Sequence, residues 1–144
     1  MHIEKLNKSK FISPRNTRGV ATISFYHKGE IHLSRNAVRQ LGLYDIINNK
    51  LSSVSVFVDK DEHTEADFFI MRDDTDGWCL RRAYGGGAVF NSCELARHVI
   101  RKTWERDRHL ASEDMPRKMI FRVASLPVDD DKNKNVFALL RKIT

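Results

Sequence analysis

The side chains of this sequence best suited to chemistry are arginines and a tyrosine beside a run of glycines. Arg81, Arg82 and Tyr84 lead directly into Gly85-Gly86-Gly87. Guanidiniums are planar forks that match phosphate, an aromatic ring offers a stacking plane, and glycines expose backbone amides to a ligand. The same glycines also read as a hairpin turn. No Lys-Ser/Thr pair follows them, and the GxGxxG spacing of a nucleotide cradle is absent. Further cations stand at Lys28, Arg35, Arg39, Arg72, Arg97, Arg101 and Lys102. With the first three, they make up the expected nucleic-acid-binding set, acting mainly by neutralising phosphate.

Other chemistries fail on spacing. Cys79 and Cys93 have no CxxC partner, and His98 and His109 lack the i,i+4 relation of a helical zinc pair. Asp74, Asp76 and Gly77 echo a calcium loop, but its register puts Arg72 and Ala83 where carboxylates are needed. No serine sits in a nucleophile elbow, and the six histidines are scattered. His32 and His98 adjoin apolar segments and read as structural. The sequence therefore predicts a non-enzymatic protein without metal or cofactor.

Charge and composition point the same way. The chain has 144 residues and a formal net charge of +6, with 41% hydrophobic and 31% charged residues. These values suit one ordinary globular domain. Acidic residues crowd one stretch: Asp59, Asp61, Glu62, Glu65, Asp67, Asp73, Asp74 and Asp76. Lys and Arg dominate elsewhere, so the surface favours polyanionic partners. Nucleic acid, DNA ahead of RNA, is the expected partner. The alternative is a non-catalytic interaction or structural module of a larger assembly or mobile element, docking an acidic protein on its basic face and a basic one on the Asp59–Asp76 region. No apolar run reaches the roughly 20 residues of a membrane span. Met1 to Lys10 has cations but no apolar signal core. Two thiols read as buried and free imply a reducing cytoplasm.

These side chains need elements to hold them. Residues 1–19 are polar, with breakers at Ser13-Pro14 and Asn16-Thr17, and read as a flexible arm before one domain over 20–144. Alternation at Ala21, Ile23 and Phe25, a turn at His27 to Glu30, then Ile31 and Leu33 predict a hairpin. Ser34 reads as the N-cap of a short helix carrying Ala37, Val38 and Leu41, with Gly42 just past its end. Strands follow at Val54 to Val58, Asp67 to Arg72, Trp78 to Tyr84 and Ala88 to Phe90. Leu95, Ala96, Val99, Ile100 and Trp104 recur at helical spacing after a cap at Asn91 or Ser92, with Arg97, Arg101, Lys102 and Arg108 on or beside the other face. A strand around Met119 to Val123 comes next, and Val136 to Ile143 closes as strand or short helix. The expected fold is α+β: a mainly antiparallel curved sheet with two helices, in the order ββα-ββββα-ββ.

Two stretches resemble known DNA-binding folds. Lys28-Gly29-Glu30-Ile31-His32-Leu33-Ser34, then Ala37-Val38-Arg39, Leu41-Gly42-Leu43 and Val54-Ser55-Val56, are similar to the AbrB/MazE-type motif over about residues 21–72. That resemblance implies a homodimer of interleaved hairpins with DNA met by Lys28, Arg35 and Arg39. The match departs at Ser34, where proline is usual, at Glu30, where a basic residue is common, and in lacking Gly-Asp after the helix. The layout from Val54 to Trp104, four strands and a helix, is similar to the Whirly and transcriptional-coactivator fold. It implies a single-strand-binding face bearing Phe57, Phe69, Arg72, Arg81 and Tyr84.

Overall fold

The computed structural model describes residues 19–58, 67–107, 114–128 and 135–141. The expected N-terminal arm, all but Gly19, lies outside these residues, as do Asp59 to Glu65, Arg108 and His109.

The first hairpin forms as its alternation dictates. Strands β1 (Thr22–Tyr26) and β2 (Glu30–Leu33) pair antiparallel, and Ile23, Phe25, Ile31 and Leu33 all face the core. Ser34 then caps α1 (Arg35–Gln40) by accepting from the Ala37 amide at 3.2 Å. The same hydroxyl accepts from the Thr22 amide at 2.9 Å, so one side chain ties the helix start to β1. Gly42 takes the left-handed φ of +63° that ends the helix.

A two-residue hairpin, β3 (Tyr44–Asp45) and β4 (Lys50–Leu51), follows. It is an element the periodicity did not suggest. Strands β5 (Val54–Val58), β6 (Phe68–Arg72), β7 (Arg81–Arg82) and β8 (Ala88–Asn91) come next, then α2 (Cys93–Asp107), β9 (Lys118–Val123) and β10 (Phe137–Arg141). Eight strands form one antiparallel sheet in the order β5-β6-β10-β9-β1-β2-β8-β7, strongly curled into a half-barrel. The sheet therefore follows the ββα-ββββα-ββ order read from the sequence. The last element is a strand, and the cap of α2 is Ser92, whose hydroxyl accepts from the Leu95 amide at 3.2 Å. Asn91 instead ends β8, paired with Glu30.

Helix α2 places Ala96, Val99, Ile100 and Thr103 in the concavity against β1 and β2. This is the i, i+3, i+4, i+7 stripe of an amphipathic helix. The C-terminal end of α2 is held by ion pairs: Arg106 binds Asp67, just ahead of β6, and Asp107 lies 3.5 Å from Arg141 of β10. No helix among the described residues is long and apolar enough to cross a membrane.

The expected strand from Trp78 to Tyr84 is broken into two short contacts, and they join the edges of the sheet. Trp78 exchanges two backbone hydrogen bonds with Val54 of β5, at 2.7 and 3.1 Å, while Arg81 and Arg82 pair with β8. Residues 78–82 thus form a seam across the open side of the half-barrel. The Trp78 ring stacks on Phe90 at 5.6 Å, which anchors the seam to the core. Asp73 prepares the turn ahead of it: its carboxylate accepts from the Ser55 hydroxyl, the Thr75 amide and hydroxyl, and the Asp76 amide. These bonds, led by Ser55, hold the Asp73 pKa at about 2.

Gly77 is where the seam allows no side chain. A Cβ there would lie 2.5 Å from the Asp73 carbonyl oxygen and 2.8 Å from both the Val54 nitrogen and oxygen. All three are backbone atoms, which cannot swing aside. Gly77→Ala should therefore cost about 3 kcal/mol in urea unfolding. Gly42→Ala, with φ +63° but nothing within 4 Å, should cost only about 1 kcal/mol. Equal losses would contradict the close approach.

Asp73 gives a pH signature. A carboxylate whose folded pKa lies below its unfolded value adds stability above the unfolded pKa and loses it as pH falls through the folded one. Wild type should melt higher than Asp73→Asn at neutral pH, and the two melting temperatures should converge as pH falls from about 4 towards about 2. A constant gap across that range would rule this out.

Candidate nucleic-acid interface

The expected binding residues divide between the two ends of the β1–β2 hairpin. Lys28 lies in its turn, and Arg97 of α2 donates to the His27 carbonyl oxygen at 3.1 Å, so the helix face with Arg101 and Lys102 belongs to this end. Four residues of β2, roughly 13 Å at the usual rise, separate this turn from α1. Arg35 and Arg39 lie on α1, and Arg72 reaches the same end by donating to the Gly42 carbonyl at 2.9 Å. Arg82 and Tyr84 join them, because β8 pairs Ala88 with Leu33, next to the helix start.

Arg81 and Arg82 do not act as a unit. Side chains alternate along a strand, so neighbours leave on opposite faces. Arg81 lies opposite Val89, which in turn lies opposite His32, in a row across the sheet. Arg82 instead reaches the β3–β4 hairpin. Its guanidinium stands 5.0 Å from the Tyr44 ring centroid and donates to the Tyr44 hydroxyl at 2.8 Å and to the Asn49 side-chain oxygen. Tyr44 and Asn49 belong to this constellation and were not singled out in the sequence. The signal for them was Asn48-Asn49, a turn pair between Asp45 and Lys50; Asn49 takes the left-handed φ of +51°.

The glycine run is a turn with a neighbour. Tyr84–Gly86 form a single 3₁₀ turn in which Gly85 and Gly86 have φ of +83° and +88°. A Cβ on Gly86 would come 3.2 Å from Cδ of Arg35, so the stem of Arg35 lies along the turn. Tyr84 beside it is fully exposed. Next to α1, an open cleft of about 400 Å³ is lined by Arg39, Gln40, Gly42, Arg72, Asp74 and Asn135 among others. The α1 end thus carries four arginines, Arg35, Arg39, Arg72 and Arg82, with Tyr44 and Tyr84.

Two of these arginines are also structural, Arg82 through Tyr44 and Asn49 and Arg72 through Asp74. Arg72 forms an ion pair with Asp74 at 3.1 Å, and that guanidinium pulls the Asp74 pKa down. Three described carboxylates of the acidic stretch are committed inside the molecule, Asp67 to Arg106, Asp73 to its turn and Asp74 to Arg72, while Asp76 is exposed. The single-strand-binding face implied by the Whirly layout finds Phe69 buried and Phe57 half-buried, packed with Met71, Val136 and Leu140 in a small second core. That placement leaves neither ring free to stack on a base. The first hairpin also differs from an interleaved one, since β9 and β8 of the same chain fill both its edges.

The cysteines correct an expectation. The apolar neighbours of Cys79 and Cys93 in sequence predict buried thiols, yet both residues are exposed. Cys79 follows Trp78 on the seam, where only Trp78 and Leu80 turn towards the core. Cys93 opens α2, and its thiol donates to the Lys28 carbonyl at 3.2 Å. Among the described residues no three His, Cys, Asp or Glu side chains group as a metal site would require. No family model, curated protein or solved structure matches the chain.

Both thiols should react with a disulfide reagent such as DTNB in the native protein, without denaturant. Reaction that waits for unfolding would contradict the exposure of Cys79 and Cys93.

Proposed function

We propose that the chain binds nucleic acid, DNA in preference to RNA, through the α1 end of the half-barrel. The observation that carries this reading is the grouping of Arg35, Arg39, Arg72 and Arg82 with Tyr44 and Tyr84 around the 3₁₀ turn and the cleft. Arginine forks take phosphate oxygens in pairs, and Tyr84 offers an uncovered ring for stacking. The net charge of +6 adds long-range attraction for a polyanion. Lys28, Arg97, Arg101 and Lys102 stand apart at the other end and act as a secondary basic surface. The protein-docking alternative loses part of its basis, because Asp67, Asp73 and Asp74 already have partners within the chain.

Fluorescence anisotropy with labelled DNA tests this. With Arg72 paired to Asp74, neutralising three phosphates gives a log–log salt slope near −2.7, so affinity should fall about fortyfold from about 50 to about 200 mM salt. Arg39→Ala/Arg82→Ala should flatten that slope by about two and weaken binding across all sequences. Absence of any complex with single- or double-stranded DNA or RNA at about 50 mM salt would overturn the proposal.

A further inference from the structure

Helix α2 lies across the end of the half-barrel opposite α1, and the strands fix that opposition. At its start, the Ser92 amide donates to the Gly29 carbonyl at 2.9 Å and the Cys93 thiol to that of Lys28, both in the β1–β2 turn. At its close, Arg106 pairs with Asp67 ahead of β6, and Asp107 with Arg141 at the end of β10. The other ends of β2 and β6 meet α1: Ser34 caps that helix, and Arg72 donates to Gly42 just past it. Strands of four and five residues, roughly 13 to 17 Å, therefore separate the two ends.

The α2 end is basic on its outside. Lys28, Arg97, Arg101, Lys102, Arg117 and Lys118 are all exposed, and none enters an ion pair among the described residues. Arg117 and Lys118 belong to this end because the His27 amide donates to the Arg117 carbonyl at 2.7 Å and Lys118 lies opposite Tyr26. The Lys118 ammonium stands 5.0 Å from the Tyr26 ring centroid. Among the described residues, no exposed large apolar side chain lies on α2, in the β1–β2 turn or at the start of β9. Protein interfaces are built round an apolar or aromatic centre, whereas phosphate backbones are held by cations alone. A phosphate backbone is therefore the occupant that this surface fits.

A straight duplex resting on one end of a barrel does not reach the opposite end. We infer that the chain holds two DNA segments at once, the first at the α1 end and a second on the α2 end, and so bridges duplexes. The inference rests on the nucleic-acid reading above and adds a second site to it. The second site acts through phosphate alone and reads no sequence. Exposed Glu94 and Glu105 on α2, and Glu30 beside the turn, weaken its attraction for a polyanion. The α1 end therefore fills first, and the α2 end takes up a second duplex once the first is bound.

The test uses the full chain, one duplex fixed to beads and a labelled duplex of unrelated sequence in solution, at about 50 mM salt. Wild type should capture the labelled duplex, and capture should pass through a maximum as protein rises, because excess protein fills each duplex separately. Lys28→Ala/Arg101→Ala/Lys102→Ala changes exposed side chains only, and an unchanged thermal melt confirms its fold. It should reduce capture at least about tenfold, while its affinity for a single duplex falls less than about threefold. Binding of one duplex with no capture of the second, or capture kept by the triple variant, overturns the bridge and leaves the nucleic-acid reading standing. No DNA binding by wild type overturns both. Binding of phosphatidylserine vesicles or of polyglutamate through the same three residues, with no capture, assigns the α2 end to that partner and also overturns the bridge.

Discussion

The pair of hydrogen bonds between Val54 and Trp78 is the constraint on which the remainder of the molecule depends. A sheet of eight strands that curls but does not close has two open edges and a concavity open on one side. Residues 78–82 lie across that gap, bonded to β5 at one end and to β8 at the other. Gly77 allows the backbones to meet, Asp73 shapes the approach, and Trp78 fills the interior against Phe90. Without this seam, β7 would be a two-residue strand without a fixed position.

Closure is also what assembles the candidate interface. Arg82 sits at the end of the seam, so the bridge at Trp78 fixes where its guanidinium stands relative to Tyr44 and Asn49. The turn that follows brings Gly86 against Arg35, and β8 then pairs back along β2 beside the start of α1. Arg72 arrives from β6, opposite Val54 in the ladder, and closes onto Gly42. Residues from four separate stretches meet because the sheet curls until its edges touch. Stability and binding geometry are therefore coupled through one short segment.

Much of the fold was legible because its elements obey local rules. The hairpin of Ile23, Phe25, Ile31 and Leu33 alternates strictly, Ser34 and Gly42 mark both ends of α1, and α2 carries an unbroken apolar stripe. The seam was not legible. Trp78 to Tyr84 reads as one strand, and only tertiary contact shows that its halves pair with different partners. The β3–β4 hairpin was missed because its strands are two residues long, too short for any periodicity to register. For the site, residue types pointed to arginines and Tyr84, but a list of cations carries no spatial information. Strand alternation separates Arg81 from Arg82, and the length of β2 separates Arg35 from Lys28. The thiols went wrong for a related reason: apolar neighbours in sequence do not bury Cys79 or Cys93 when the chain there alternates or begins a helix.

The proposed binding surface is the α1 end of the half-barrel. Titrating ¹⁵N-labelled protein with a short DNA duplex, read by amide and arginine side-chain chemical shifts, tests it most directly. Shifts should concentrate at Arg35 to Asn49, Arg72 and Arg82 to Gly86, with Lys28, Arg97, Arg101 and Lys102 little changed. Shifts concentrated instead at Lys28 and along α2, or none at all, would contradict it.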